Sequence, residues 1–95
     1  MIKKEKISGV YIILNTVNGK FYIGSSSNIE KRFLHHKNSL NSEKHHSSLL
    51  QRAWLKYGKE NFIFQLVEKC NIRECIVREQ IWLDFHKTYS REYGY

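Results

Sequence analysis

Two tripeptides most constrain how this chain can fold: Gly9-Val10-Tyr11 and Tyr22-Ile23-Gly24, with Asn18-Gly19 between them. Asn-Gly flanked by apolar, β-branched runs is a strong short-range hairpin signal, so the two tripeptides belong side by side on neighbouring strands. Each run sets a glycine near a tyrosine. A strand interior has no need of glycine, and neighbouring glycines mark a place where something large approaches the backbone. The paired phenols have two readings, plain packing or the acid–base groups of a reaction centre.

Around that hairpin the chain divides readily. Residues 9–15 and 20–24 read as the two strands. Ser27 with Glu30 three residues on fits a capping box and opens a helix over 28–40, followed by a polar loop at 41–44. Ser48 with Gln51 forms a second box, before a helix bearing Leu50, Ala53, Trp54 and Tyr57 that Gly58 stops. Residues 61–68 read as a third strand, and Asn71 with Glu74 caps a last helix over 72–86. Trp54 and Trp82 fall on apolar helix faces and are expected in the core. The order β-β-α-α-β-α predicts an α/β (α+β) fold, a small, mainly antiparallel three-stranded sheet flanked by helices. Residues 1–95 make a single domain, with a core over 8–87 and a tail at 88–95.

Sixteen Lys and Arg against nine Asp and Glu give this 95-residue chain a net charge of +7. That balance favours a polyanionic partner, phosphate backbones above all, without separating DNA from RNA. No apolar stretch is long enough for a membrane helix, and the first eight residues lack the apolar core of a signal peptide. The two cysteines, Cys70 and Cys75, fit neither a disulfide framework nor a Cys-x-x-Cys knuckle. A soluble protein of the reducing cell interior is expected.

Helix faces bring in the polar residues. In the first helix Ile29, Phe33 and Leu40 form an apolar stripe, with His36 inside it and Arg32 at its edge. Arg32 and His36 are four apart and project together. In the last helix Ile72, Cys75, Ile76 and Leu83 define a stripe with Glu79 near its centre. A carboxylate turned inward is expensive unless paired or bound to a cation, so Glu79 is either in a salt bridge with Lys or Arg, or a metal ligand or acid–base group. Glu68 ends the third strand, and nothing independent supports it as a second metal carboxylate.

Two strand tyrosines, an Arg–His pair and one inward carboxylate in a basic domain suit phosphodiester hydrolysis. One carboxylate can hold a divalent cation whose other positions go to water and phosphate oxygens. Arginine offers a planar fork to those oxygens, and a phenol or imidazole can take a proton from the attacking water. Free tyrosine is only about one part in a thousand ionised at pH 7. Tyr11 or Tyr22 would need its pKa lowered by the metal or by Arg32 to act as a base.

On these motifs the chain resembles the GIY-YIG nuclease family, and within it the catalytic domains of phage-intron-type homing endonucleases, over residues 8–95. The first motif is a Val-for-Ile variant. The resemblance implies that Tyr11 is the general base or orients the water, and that Tyr22 is its partner in the hydrogen-bond network. It implies that Arg32 contacts phosphate, that His36 positions groups or transfers protons, and that Glu79 is the single metal ligand for Mg2+ or Mn2+, one ion per site. His46, before Ser47-Ser48, is similar to a further histidine of the homing branch, with His45 the weaker candidate. The implied function is metal-dependent DNA endonuclease, leaving a 5′-phosphate and a 3′-hydroxyl. The alternative is a non-catalytic nucleic-acid-binding module that keeps the fold. The implied partner is double-stranded DNA, its phosphates held by Lys20, Lys31, Lys37 and Lys56, with a fused or separate DNA-targeting domain and a transient dimer on DNA.

The family's pattern carries an active-site asparagine after a Gly-Tyr pair. Gly94-Tyr95 match that pair at the last two positions, and neither Asn61 nor Asn71 lies where the asparagine belongs. A zinc-stabilised interaction domain built from Cys70, Cys75, His35-His36 and His45-His46 is the weakest reading. Adjacent helical histidines diverge by roughly 100°, and the cysteine spacing fits no usual zinc arrangement.

Overall fold

β1 (Gly9–Asn15) is the strand on which the sheet is built, because both of its edges are paired. β2 (Phe21–Ser26) and β3 (Phe62–Lys69) flank it in the order β2-β1-β3, and both pairings are antiparallel. The computed structural model describes residues 6–86 and 94–95. Its helices are α1 (Ile29–Asn41), α2 (Ser48–Tyr57) and α3 (Cys75–His86), with a single 3-10 turn at Lys59–Asn61. The predicted order and sheet are therefore present. Among the described residues no helix is long and apolar enough to cross a membrane.

The hairpin differs from expectation in its turn. Asn15 N–H donates to the Lys20 carbonyl and Gly19 N–H to that of Asn15, so residues 16–19 form a four-residue loop. Gly19 takes a positive φ of 77°, while the side chains of Asn15 and Asn18 accept from the amides of Val17 and Lys20. β2 consequently starts one residue late and runs on to Ser26.

The two glycines make room inside the protein. A Cβ on Gly24 would overlap the hydroxyl and ring of Tyr11, its cross-strand partner. A Cβ on Gly9 would strike the Glu68 carbonyl on β3, just beside the register shift between Val10 and Tyr11. The large group approaching Gly24 is thus Tyr11 itself.

Strand alternation gives the sheet two faces. Tyr11 and Ile13 join Ile29, Leu40, Leu50, Ala53, Trp54 and Phe62 in one apolar core under α1 and α2, with Phe33 and Phe64 packed against it. Ser25 and Glu68, opposite Val10 on either side, bond instead to α3. The helix starts each differ slightly from the capping boxes. Asn28, not Ser27, caps α1 by accepting from Lys31 N–H. Ser47, not Ser48, caps α2, and Gln51 instead accepts from His45 N–H and donates to the Leu40 carbonyl. Gly58 ends α2 at φ 88° as expected.

α3 departs most from its predicted pattern. It starts at Cys75, because Asn71 closes a turn whose carbonyl accepts from the amides of Glu74 and Cys75. Ile72 lies before the helix at 64% exposure and Ile76 is 79% exposed, so neither belongs to an inward stripe. Cys75 alone on this helix is buried. Polar clamps substitute for the missing apolar stripe: Arg78 grips Glu68 with two bonds of 2.5 and 2.7 Å, and Trp82 Nε1 donates to the same carboxylate at 3.2 Å. Trp54 is a core residue, whereas Trp82 is only partly buried and stacks on His86. Of the expected tail, residues 88–93 lie outside the described residues. Gly94 pairs with Phe21, and the Tyr95 hydroxyl accepts from Asn15 Nδ2 at 3.0 Å, so those two residues are docked on the hairpin.

Candidate active site

Tyr11 stands at the centre of the candidate site, on the middle strand and only 1% exposed. The Asn28 cap sets the phase of α1 so that Arg32 and His36, one turn apart, both face its hydroxyl. His36 Nε2 lies 2.5 Å from Tyr11 Oη, and Arg32 Nε donates to the same oxygen at 3.3 Å. Behind His36 the chain of contacts continues into the α1–α2 loop. His36 Nδ1 is 2.7 Å from His45 Nε2, and His45 Nδ1 accepts from the Ser47 backbone N–H at 3.0 Å.

That last bond fixes the rest, because a backbone amide can only donate. A neutral His45 must then carry its proton on Nε2 and donate to His36 Nδ1. His36 in turn carries its proton on Nε2 and donates to Tyr11. The Tyr11 oxygen thus receives hydrogen bonds from both His36 and Arg32, and its own proton points elsewhere.

The electrostatics agree with neutral imidazoles. Burial, reinforced by Arg32 and the neighbouring histidines, pushes His36 down to about 3. Burial and His46 push His45 down to about 4. Burial raises Tyr11 to about 12, outweighing the lowering by Arg32. Arg32 alone therefore does not prepare Tyr11 as a base. Tyr22 is raised as well, by burial first, and Arg32 is raised by its hydrogen bond to Tyr11.

Tyr22, on the edge strand, has its ring centroid 6.4 Å from that of Tyr11. Its hydroxyl lies 3.1 Å from Nε2 of the exposed His46, whose ring stacks on His45 at 4.4 Å. The structure brings both members of the His45-His46 pair to the tyrosines, one to each arm of the network. His45, the weaker candidate of the pair from sequence, is the buried one, turned inward by a cap at Ser47 rather than Ser48.

Glu79 approaches from α3. Its Oε1 accepts from Ser25 Oγ at 2.8 Å, and its charge raises both Tyr11 and Tyr22. Ser25 reaches Glu79 because β2 runs past the expected strand end at residue 24. Among the described residues no Lys or Arg pairs with Glu79, whereas Glu68 sits in a salt bridge with Arg78. No group of three or more His, Cys, Asp or Glu gathers as a closed metal site among the described residues. A lone half-buried carboxylate with only a hydroxyl on it suits a hard, oxygen-seeking cation that keeps most of its waters, and does not suit a tetrahedral zinc site.

The lysines separate. Lys31 lines an open cleft of about 300 Å³ with Lys6, Arg32 and His35. Lys37 lies over the Phe64 ring at 5.0 Å and Lys56 over Tyr57 at 5.2 Å. Lys20 follows the hairpin loop. Lys31 is the expected phosphate contact that the fold sets beside Arg32.

Residues 7–93 match the model of the GIY-YIG catalytic domain. The chain is similar to intron-associated endonuclease 1 of Enterobacteria phage T4, 38% identical over 74 residues, which are 78% of this chain and 25% of that protein. It is similar to a probable intron-encoded endonuclease 1 of Neurospora crassa, 30% identical over 95 residues, all of this chain and 30% of that one. Among solved structures, the catalytic domain of homing endonuclease I-TevI superposes with a TM-score of 0.83 at 33% identity, covering 93% of this chain and 95% of that domain. The chain thus spans between a quarter and a third of the length of these curated relatives.

Proposed function

Because the chain belongs to the GIY-YIG catalytic-domain family, we propose that it is the catalytic module of a DNA endonuclease of the homing type, hydrolysing phosphodiester bonds with one Mg2+ or Mn2+ on Glu79. The observation that carries this reading is the Tyr11 hydroxyl, held between His36 and Arg32 with the Glu79 charge acting on it.

Tyr11 has the geometry of a proton-handling group. Two donors on its oxygen stabilise the phenolate, and its own proton is free to engage an attacking water. Arg32, at the mouth of the cleft lined by Lys6 and Lys31, faces the phosphate and offers its remaining N–H groups to the oxygens that gain charge. His36 and His45, kept neutral, hold the phenol in place without adding a positive charge. Tyr22 and the exposed His46 form a second polar arm, through which a proton reaches solvent. A divalent cation held on Glu79 would supply polarisation of the phosphate and a lower pKa for nearby water and phenol. The water oxygen bonds to phosphorus while the P–O3′ bond breaks, giving a 5′-phosphate and a 3′-hydroxyl.

Base readout is assigned to another domain, fused or separate, since this small basic surface suits phosphate contacts that are weak and salt-sensitive. Cutting both strands then takes two protomers on the DNA or two successive nicks.

The test is incubation of supercoiled plasmid with Mg2+, beside an EDTA control and Glu79→Ala. Nicking in Mg2+ that EDTA abolishes and that falls at least about 100-fold in Glu79→Ala is expected. Equal nicking by Glu79→Ala would remove the metal-ligand role. Binding of DNA without nicking at any enzyme concentration would leave the nucleic-acid-binding module as the better reading.

A further inference from the structure

Cys70 follows β3 and Cys75 opens α3, and the turn between them brings their sulfurs within 3.2 Å. Both thiols are free. Asn71 holds the turn closed: its carbonyl takes the amides of Glu74 and Cys75, and its side chain takes that of Arg73 at 3.0 Å. Cys75 is 5% exposed, while Cys70 is partly open to solvent, so a reagent meets Cys70 first.

We propose that Cys70 and Cys75 are a modification site, a dithiol that closes to a reversible intramolecular disulfide on reaction with a small disulfide such as oxidised glutathione. The Cys70 thiolate attacks one sulfur of the small disulfide, whose S–S bond breaks and releases one small thiol. The Cys75 thiolate then attacks the Cys70 sulfur of the mixed disulfide and releases the second. Two protein thiols are oxidised, one small disulfide is reduced to two thiols, and the two protein protons end on those thiols. Excess small thiol runs the steps backwards.

The position gives this bond a consequence. Cys75 is the one buried residue of α3, and Glu79 lies one turn further along the same helix. Beyond Cys75, α3 meets the sheet through polar bonds to Glu68 and Ser25 and an edge-on contact of the His86 ring with Phe21 at 5.4 Å. A covalent tie at the first turn therefore restrains the opening of the helix that carries Glu79. Burial of Cys70 and its contact with Cys75 hold its thiol above the ordinary range, so closure is slow at neutral pH and quickens as pH rises.

The experiment equilibrates the full chain in a series of oxidised and reduced glutathione mixtures, quenches with acid, alkylates, and reads intact mass and peptide links. The expected product is two hydrogens lighter, unalkylated at both cysteines, linked Cys70 to Cys75 and restored by dithiothreitol. Hydrogen exchange at the start of α3 should slow in that product. Cys75→Ser should stop at the glutathione adduct on Cys70. Alkylation of both cysteines across the whole series, a persistent glutathione adduct in the unsubstituted chain, or links between chains would each overturn the proposal.

Discussion

α1 and α3 each deliver residues to the same site, yet they are held in opposite ways. α1 buries Ile29, His36 and Leu40 and ties His36 through His45 to the backbone of Ser47. α3 buries one cysteine, leaves Ile76, Val77 and Phe85 largely in solvent, and rests on the Glu68 clamp. Tyr11 and His36 are therefore buried against the core with Arg32 at its edge, whereas the carboxylate half is a surface attachment. Core burial fixes protonation states. On the function proposed above, a shallow attachment leaves the Glu79 carboxylate able to adjust to a cation and a phosphate.

Mutations can break that contrast directly. Leu40→Ala should destabilise the domain by about 3 kcal/mol in urea denaturation, since it empties a fully buried position in the core cluster that includes Tyr11. Ile76→Ser should stay within about 0.5 kcal/mol. Comparable losses from the two would mean that the outer face of α3 is covered in solution.

A pH series sharpens the same point. The folded values of His36 and His45 lie below that of a free histidine, so the unfolded chain binds more protons between roughly pH 6.5 and their folded values near 3 and 4. Their contribution is present above pH 6.5 and is lost as pH falls. For His36 alone the loss from pH 7 to pH 5 should be on the order of 2 kcal/mol. Denaturation midpoints at the two pH values measure it, and a flat profile would place the imidazoles in water. A local effect is expected for Arg78→Ala, which loosens α3 without opening the core. Hydrogen exchange in α3 should quicken by a few-fold while that of α1 is unchanged.

The contrast also explains what could be read from the chain. On the α1 side, apolar spacing, the Gly-Tyr pairs and the Arg32–His36 interval all report burial, and the sheet, the core and the Tyr11 cluster follow from them. α3 is held by Glu68, which gives no periodic signal, so its expected stripe of Ile72 and Ile76 fell on solvent while Glu79 still faced the sheet. The place of His45 is not legible in the sequence, because a shift of one residue in the α2 cap turns it inward and such shifts leave no mark in composition. Contact between Cys70 and Cys75 depends on the turn at Asn71, which spacing alone does not reveal.

The proposed function gives Tyr11, held by His36 and Arg32, the handling of the proton in phosphodiester cleavage. It is tested most directly by the pH dependence of single-turnover plasmid nicking in saturating Mg2+, for the unsubstituted chain and for Tyr11→Phe. The rate should climb nearly tenfold per unit from about pH 6 to about pH 8, as the phenol surrenders its proton more readily, with only slow, pH-independent nicking left in Tyr11→Phe. The same alkaline climb in Tyr11→Phe, at an undiminished rate, would contradict it.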